Sequence, residues 1–280
     1  MFNKKRLIAL LTGTLLVGSL VSGCGSAGAN STPGSSSSKI TVSGSTSVGP
    51  TMEILAEDYQ KENDTTTIEV QQVGSSAGIT NTIDGTSQIG MSSRDLKDEE
   101  KSELKEYQIA IDGIAVITNS ANKVKDLTLQ QVKDIYTGKI TNWKEVGGAD
   151  AEIVVVSRED GSGTRDGFQE IVGFESKDLT SNAQISDGSG NIKTTVQGNE
   201  NAIGYISFGY LDDSINAVKI GGVEPKEENV YNDKYPISRP FLLVTKGEAS
   251  GDAKSFIDYV LSDAGQKTIE KQGFMSVNQK

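Results

Sequence analysis

Three short segments rich in glycine, serine and threonine constrain this chain most, because each stands between a strand-like run and a helix-like run. They are residues 43–47 (SGSTS), 74–78 (GSSAG) and 160–165 (DGSGTR). Glycine lets a backbone approach a ligand closely, free N–H groups at a helix start attract an anion, and hydroxyls add uncharged donors. Three such turns aimed at one point would form a cage for a tetrahedral oxyanion. The alternative is that these residues simply make good N-caps and turns.

Strand-like and helix-like runs alternate along most of the chain. Residues 109–118 (IAIDGIAVIT) are the most apolar run and predict a buried strand that is interrupted at Asp112 and Gly113. The alternation predicts an α/β architecture with mainly parallel sheets, in which ligands bind beyond the carboxyl ends of the strands. Predicted helices cover residues 49–62, 79–84, 98–106, 128–136, 165–172, 192–197 and 253–271, and further predicted strands cover 39–42, 67–73, 88–92, 153–156, 202–208 and 241–245.

The N-terminus has the features of a secretory signal, predicted over residues 1–23. Three basic residues precede a short apolar stretch, which is too short for a comfortable membrane span. The stretch ends in LVSGC, which resembles a bacterial lipobox, so we expect Cys24 to be acylated and to anchor the protein on the extracytoplasmic face of the membrane. Cys24 is the only cysteine, which excludes an intrachain disulfide. The alternative to acylation is that Cys24 is an incidental buried thiol. Residues 24–38 are predicted to be the lipidated cysteine and a flexible linker.

The net charge and the absence of histidine exclude several classes of function. The formal net charge is −11, and removing the three basic residues of the signal leaves 24 basic against 38 acidic residues, or −14. Such a chain is a poor nucleic-acid binder, so an anion must be recognised locally. Residues 74–78 match the GxSxG pattern of hydrolases, which would make Ser76 the nucleophile. The chain has no histidine to act as the general base of such a serine, although a Ser-Lys pair stays open. Residues 44–51 resemble a P-loop, but Pro50 stands where lysine is needed. We expect no enzyme activity, cofactor or metal.

Several motifs follow one another in a characteristic order. After the lipobox come SGSTSVGP (43–50), GSSAG (74–78), IGMSSR (89–94), GKITNW (138–143), DGSGTR (160–165) and YPISRP (235–240). This order resembles the phosphate-binding lipoproteins of bacterial high-affinity phosphate ABC transporters over essentially the whole mature chain. The resemblance implies a type 2 periplasmic-binding-protein fold with two α/β lobes, each a mixed sheet flanked by helices, and a ligand cleft between them. The implied lobes are residues 39–111 plus 237–280 and residues 112–236, with crossings near Asp112-Gly113 and Ser238-Arg239.

The resemblance also implies which residues contact phosphate. Arg158 would supply a charged, bidentate contact to phosphate. The alternative is that Arg158 only forms a surface salt bridge with Glu159 or Asp160. Arg94 and Arg165 lie beside the cage residues, and one of them could balance the second negative charge of the ligand. The other implied contacts are Thr46, Ser47, Ser75, Ser162, Gly163 and Thr164.

One position departs from the family pattern, because Ser93 stands where the family has an aspartate. That carboxylate would accept a proton from phosphate and repel sulfate, which has none. Asp112 is the candidate replacement, since a charge within an apolar run needs a partner or a site. The alternative to this acceptor role is that Asp112 caps a turn with Gly113.

The implied function is that of a monomeric extracytoplasmic receptor that binds inorganic phosphate and delivers it to the permease subunits of an ABC transporter. Three alternatives stay open. The first is a binding protein for another oxyanion, such as sulfate or molybdate, and the second is a secreted phosphatase. The third is a sensor or adhesive surface lipoprotein that retains only the fold.

Overall fold

The computed structural model describes residues 38–279, which form a mixed α/β structure. The predicted signal, Cys24 and all but the last residue of the predicted linker lie outside this range. Ser38, assigned to the linker, is instead the first residue of a strand. The strands are β1 (Ser38–Gly44), β2 (Thr66–Gln72), β3 (Ile89–Ser92), β4 (Leu104–Asn119), β5 (Asp126–Leu127), β6 (Val154–Arg158), β7 (Gln184–Ser186), β8 (Ala202–Ser207), β9 (Ile215–Ala217), β10 (Lys219–Ile220), β11 (Ser238–Lys246) and β12 (Met275–Ser276).

Helices connect most of these strands. Short 3₁₀ turns add to them at Trp143–Val146, Ser176–Asp178, Phe208–Tyr210 and Val277–Gln279. The α-helices are α1 (Gly49–Glu62), α2 (Ser75–Ile83), α3 (Asp98–Lys101), α4 (Leu129–Tyr136), α5 (Gly163–Val172), α6 (Gly188–Gln197), α7 (Glu227–Tyr231), α8 (Gly251–Leu261) and α9 (Asp263–Lys271). Among the described residues, no helix combines the length and the apolar character that crossing a membrane requires.

The main sheet is mixed rather than mainly parallel. Its strands follow the order β2-β1-β3-β11-β4-β8-β6-β7, and β9 and β12 also pair with β4. Strand β1 is parallel to β2 and β3, and β6 is parallel to β7 and β8. The two long strands β4 and β11 run antiparallel to each other in the middle. Two parallel groups are therefore joined by an antiparallel pair.

Buried apolar side chains form two main clusters. The first core contains members from residues 40–110 and 241–274, and the second core contains members from residues 114–237 together with Met275. Strand β4 contributes Ala110 to the first core and Ile114 to the second, so it passes from one to the other near Asp112. Two cores joined by two strands are what a two-lobed fold requires, and the exact lobe limits stay a prediction.

Three predicted elements are wrong. The helix predicted over 98–106 ends at Lys101, because Leu104 already pairs with β11. The strand predicted over 109–118 is not interrupted, since Asp112 and Gly113 both lie within β4. A side chain at Gly113 would collide with the Phe208 ring, 2.2 Å away, which explains the glycine. The helix predicted over 253–271 is broken at Ser262, whose hydroxyl caps α9.

Candidate functional site

The three glycine- and serine-rich segments lie where they were predicted, at the junctions β1–α1, β2–α2 and β6–α5. Capping explains only part of their composition. Ser162 caps α5 by accepting from the Arg165 N–H, and Ser45 accepts from the N–H groups of Ser47 and Val48. The N-caps of α1 and α2 make no side-chain capping hydrogen bond. The remaining hydroxyls of these segments therefore point to other partners.

A cluster of hydroxyls brings the first and third segments together. The Ser47 Oγ lies 2.9 Å from the Thr164 Oγ1 and 3.1 Å from the Ser189 Oγ. The Thr46 Oγ1 lies 3.3 Å from the same Ser189 oxygen. Ser47, Thr164 and Ser189 are buried. We call these four residues the hydroxyl cluster.

Ser189 was not among the residues predicted from the sequence, although a signal for it exists. Ser189 lies near the start of α6, directly after the short strand β7. Residues 187–190 read DGSG, which repeats the DGSG of residues 160–163. A fourth glycine- and serine-rich segment at a strand-to-helix junction could therefore have been recognised from this repeat.

Arg158 lies against the hydroxyl cluster and is only 1% exposed. Its Nη1 donates to the Ser189 Oγ at 3.1 Å and to the Thr164 Oγ1 at 3.4 Å, and its Nη2 donates to the Thr46 Oγ1 at 3.1 Å. It also forms a two-point pair with Glu159, at 2.7 Å and 2.6 Å. The contacts of Arg158 with the hydroxyl cluster and its pair with Glu159 therefore coexist, and that pair is not a surface one for the arginine. The phosphate contact of Arg158 stays a prediction. Burial acts to raise the pKa of Glu159, but the hydrogen bonds and charge of Arg158 outweigh it and lower the pKa.

The second segment meets the third at Gly163. The Ser75 Oγ lies 3.3 Å from the Ser93 Oγ and accepts from the Ser93 N–H. A Cβ placed on Gly163 would lie 2.3 Å from the Ser75 Oγ and 2.8 Å from the Ser93 Oγ. The Ser76 N–H also donates to the carbonyl of Gly161, at 3.1 Å. All three segments therefore converge, and Gly163 permits the contact because it lacks a side chain.

Asp112 is fully buried and lies opposite Arg239 in the β4–β11 pair. Its Oδ2 accepts from the Arg239 Nε and Nη2, at 3.1 Å and 2.9 Å. Its Oδ1 accepts from the Ser207 hydroxyl and the Phe208 N–H, at 2.9 Å and 3.2 Å. Burial raises the pKa of the Asp112 carboxyl, and the charge of Arg239 acts against this rise. The turn-cap alternative with Gly113 is wrong, and the role of Asp112 as acceptor of a phosphate proton stays a prediction.

Arg94 and Arg165 form ion pairs with carboxylates outside the hydroxyl cluster. Arg94 pairs with Glu100 at 2.7 Å and with Asp166 at 3.0 Å, and also donates to the Ser76 Oγ. Arg165 pairs with Asp160 at 2.7 Å and donates to the Arg158 carbonyl. The ligand contact predicted for Arg165 stays a prediction.

Comparison with known proteins identifies the family. A family model for the PBP superfamily domain matches residues 29–264. The phosphate-binding protein PstS of Bacillus subtilis (strain 168) is 36% identical over 290 residues, covering 98% of this chain and 94% of that protein. The chain belongs to the PBP superfamily and, within it, to the PstS family. The resemblance noted from the motifs is thereby confirmed.

Solved structures agree with this assignment to the PstS family. A crystal structure from Clostridium perfringens, of a candidate phosphate ABC transporter substrate-binding protein with bound phosphate, is 63% identical, with a TM-score of 0.84. The match covers 85% of this chain and 99% of that one. An ABC-type phosphate transport receptor from Vibrio cholerae is 39% identical, with a TM-score of 0.74, over 85% and 100% of the two chains. These matches confirm the predicted type 2 periplasmic-binding-protein fold and a binding protein rather than an enzyme.

Proposed function

We propose that this protein is an extracytoplasmic receptor for inorganic phosphate. The observation that carries the proposal is the convergence of three buried hydroxyls and Arg158 on one point between the first, third and fourth glycine- and serine-rich segments. A tetrahedral oxyanion accepts hydrogen bonds in several directions, and hydroxyls from separate segments can supply them. The PstS proteins that match this chain are named as phosphate-binding proteins, which supports the choice of phosphate.

Two kinds of donor would hold the anion. Arg158 would supply a charge-assisted contact, and its pair with Glu159 would fix the plane of the guanidinium. Neutral donors would supply the rest, including backbone N–H groups at the starts of α2 and α5. The residues proposed to contact phosphate are Thr46, Ser47, Ser75, Ser93, Arg158, Ser162, Gly163, Thr164, Arg165 and Ser189, with Asp112 beside them.

The site would be completed when two lobes close. We assign residues 39–111 plus 237–280 to one lobe and residues 112–236 to the other, because the two cores divide near these limits. Hydrogen bonds cross between them, such as the one from the Tyr210 hydroxyl to the Thr46 carbonyl at 2.8 Å. Hinge closure around a ligand is typical of periplasmic binding proteins.

The N-terminal sequence and the relatives support a location and partners for the receptor. The lipobox-like motif supports acylation at Cys24 and an anchor on the extracytoplasmic face of the membrane. The receptor would then act as a monomer and deliver phosphate to the permease subunits of an ABC transporter.

Titration calorimetry tests the ligand directly. The purified full-length protein, in detergent and freed of phosphate, is titrated with phosphate, arsenate, sulfate and molybdate in turn. We expect saturable binding of one phosphate per chain, tighter than that of sulfate or molybdate. The proposal fails if phosphate gives no binding heat, and tighter binding of sulfate or molybdate would identify a receptor for another oxyanion.

A further inference from the structure

Arg239 is a buried arginine whose guanidinium reaches two parts of the site. It is 4% exposed and lies on β11, opposite Asp112. Its Nη2 donates to the Ser47 Oγ at 3.1 Å, and its Nη1 donates to the Ser93 carbonyl at 3.1 Å. Asp112 accepts from its Nε and Nη2. The side chain therefore connects the β4–β11 pair with both the hydroxyl cluster and Ser93.

Arg158 and Arg239 contact different hydroxyls of the cluster. Arg239 contacts Ser47, whose hydroxyl lies 3.1 Å from the Ser189 Oγ, and Arg158 contacts that same Ser189 oxygen. Only two hydroxyls thus separate the guanidinium groups along this path. Burial is the main cause that lowers the pKa of Arg239, and the nearby charge of Arg158 lowers it further. Two like charges held this close in a buried site favour an anion beside both of them.

Each of the two arginines has its own carboxylate partner. Arg158 pairs with Glu159 and Arg239 pairs with Asp112, so the four groups carry no net charge together. A buried cation without a partner is strongly destabilising, and these pairs avoid that before a ligand arrives. The carboxylates also leave guanidinium N–H groups directed at the hydroxyls.

We infer that Arg239 is a second cationic contact for the bound anion and that Asp112 positions it. This inference rests on the proposed phosphate site and names the residue that answers the second negative charge of the ligand. A purely structural ion pair between β4 and β11 would require only Asp112. The additional contacts with Ser47 and Ser93 aim the guanidinium at the site instead. Arg239 should therefore matter more for the doubly charged phosphate than for the singly charged one.

The Arg239→Gln/Asp112→Asn double variant neutralises the pair without leaving a buried charge, and the two single variants separate the roles of the cation and the carboxylate. Arg239→Gln, Asp112→Asn and the double variant are titrated with phosphate above and below its second ionisation, and their thermal unfolding without ligand reports the fold. Because one charge-assisted hydrogen bond is lost, we expect Arg239→Gln and the double variant to bind the dianion about 10- to 150-fold more weakly. The loss should be smaller for the monoanion. Asp112→Asn alone should lose less, since the cation remains.

A matched control is the Arg94→Gln/Glu100→Gln double variant, which removes the ion pair of a buried arginine that lies outside the hydroxyl cluster and should keep the affinity of the wild type. The inference is overturned if the Arg239→Gln/Asp112→Asn variant binds both ionic forms as the wild type does. It is also overturned if Asp112→Asn alone loses as much as Arg239→Gln, because the intact pair would then matter rather than the cation. If the wild type itself fails to bind phosphate, the proposed function fails instead.

Discussion

Replacing Gly163 with alanine should weaken phosphate binding by preventing closure. The new Cβ would lie 2.3 Å from the Ser75 Oγ and 2.9 Å from the Ser75 Cβ. A hydroxyl can rotate away, but the Ser75 Cβ is fixed at the first turn of α2. Gly163 and Ser75 belong to different proposed lobes, so the collision arises only when the lobes meet. Overpacking of this kind costs about 1–3 kcal/mol, which corresponds to an affinity about 5- to 150-fold lower.

Calorimetry with phosphate and thermal unfolding without it measure the two parts of this prediction. We expect the Gly163→Ala variant to bind more weakly and to unfold near the temperature of the wild type. Gly190→Ala is the matched control, because Gly190 also lies in the first turn of a helix at the site and its Cβ would meet only the Tyr210 ring, at 4.0 Å. That control should keep its affinity. Wild-type affinity in Gly163→Ala would refute the reasoning, and so would a large loss of stability without ligand, which would place the collision within one lobe.

Three further substitutions test single contacts. Four hydrogen bonds already occupy the Asp112 carboxylate, so it is not free to accept a proton from phosphate. Asp112→Asn should therefore leave the ratio of phosphate to sulfate affinity unchanged in calorimetry. A fall in that ratio would support the acceptor role predicted from the sequence. Because folding lowers the pKa of Glu159, its ionised carboxylate stabilises the fold at pH values above 4.5, its ordinary pKa. This contribution is lost as the pH falls through the lowered pKa. The melting temperature should therefore fall less steeply with acid in Glu159→Gln than in the wild type, and equal slopes would contradict this. Tyr210→Phe removes the hydrogen bond to the Thr46 carbonyl and should weaken phosphate binding about 2- to 12-fold in calorimetry, whereas unchanged binding would show that this contact is not needed.

The parts of the site that could be predicted from the sequence depend on local signals. The three segments were found because turn residues between a strand and a helix are neighbours in the chain, whereas Arg158 was predicted only from the resemblance to the family. Arg239 was missed as a site residue because its contact with Asp112 joins two residues 127 positions apart. The helix predicted beyond Lys101 failed for a similar reason, since pairing with β11 outweighs the helical preference of a charged run.

The distribution of donors links recognition to closure. Ser47 lies in the first proposed lobe, whereas Thr164, Ser189 and Arg158 lie in the second, so neither lobe alone presents the complete set. A ligand shifts an equilibrium between open and closed forms only by the difference in its affinity for the two. An anion that accepts hydrogen bonds from both lobes has such a difference, because the donors of one lobe are out of reach in the open form. An ion of the wrong shape would meet the donors of one lobe and would leave the others unpaired, so closure itself would select the ligand.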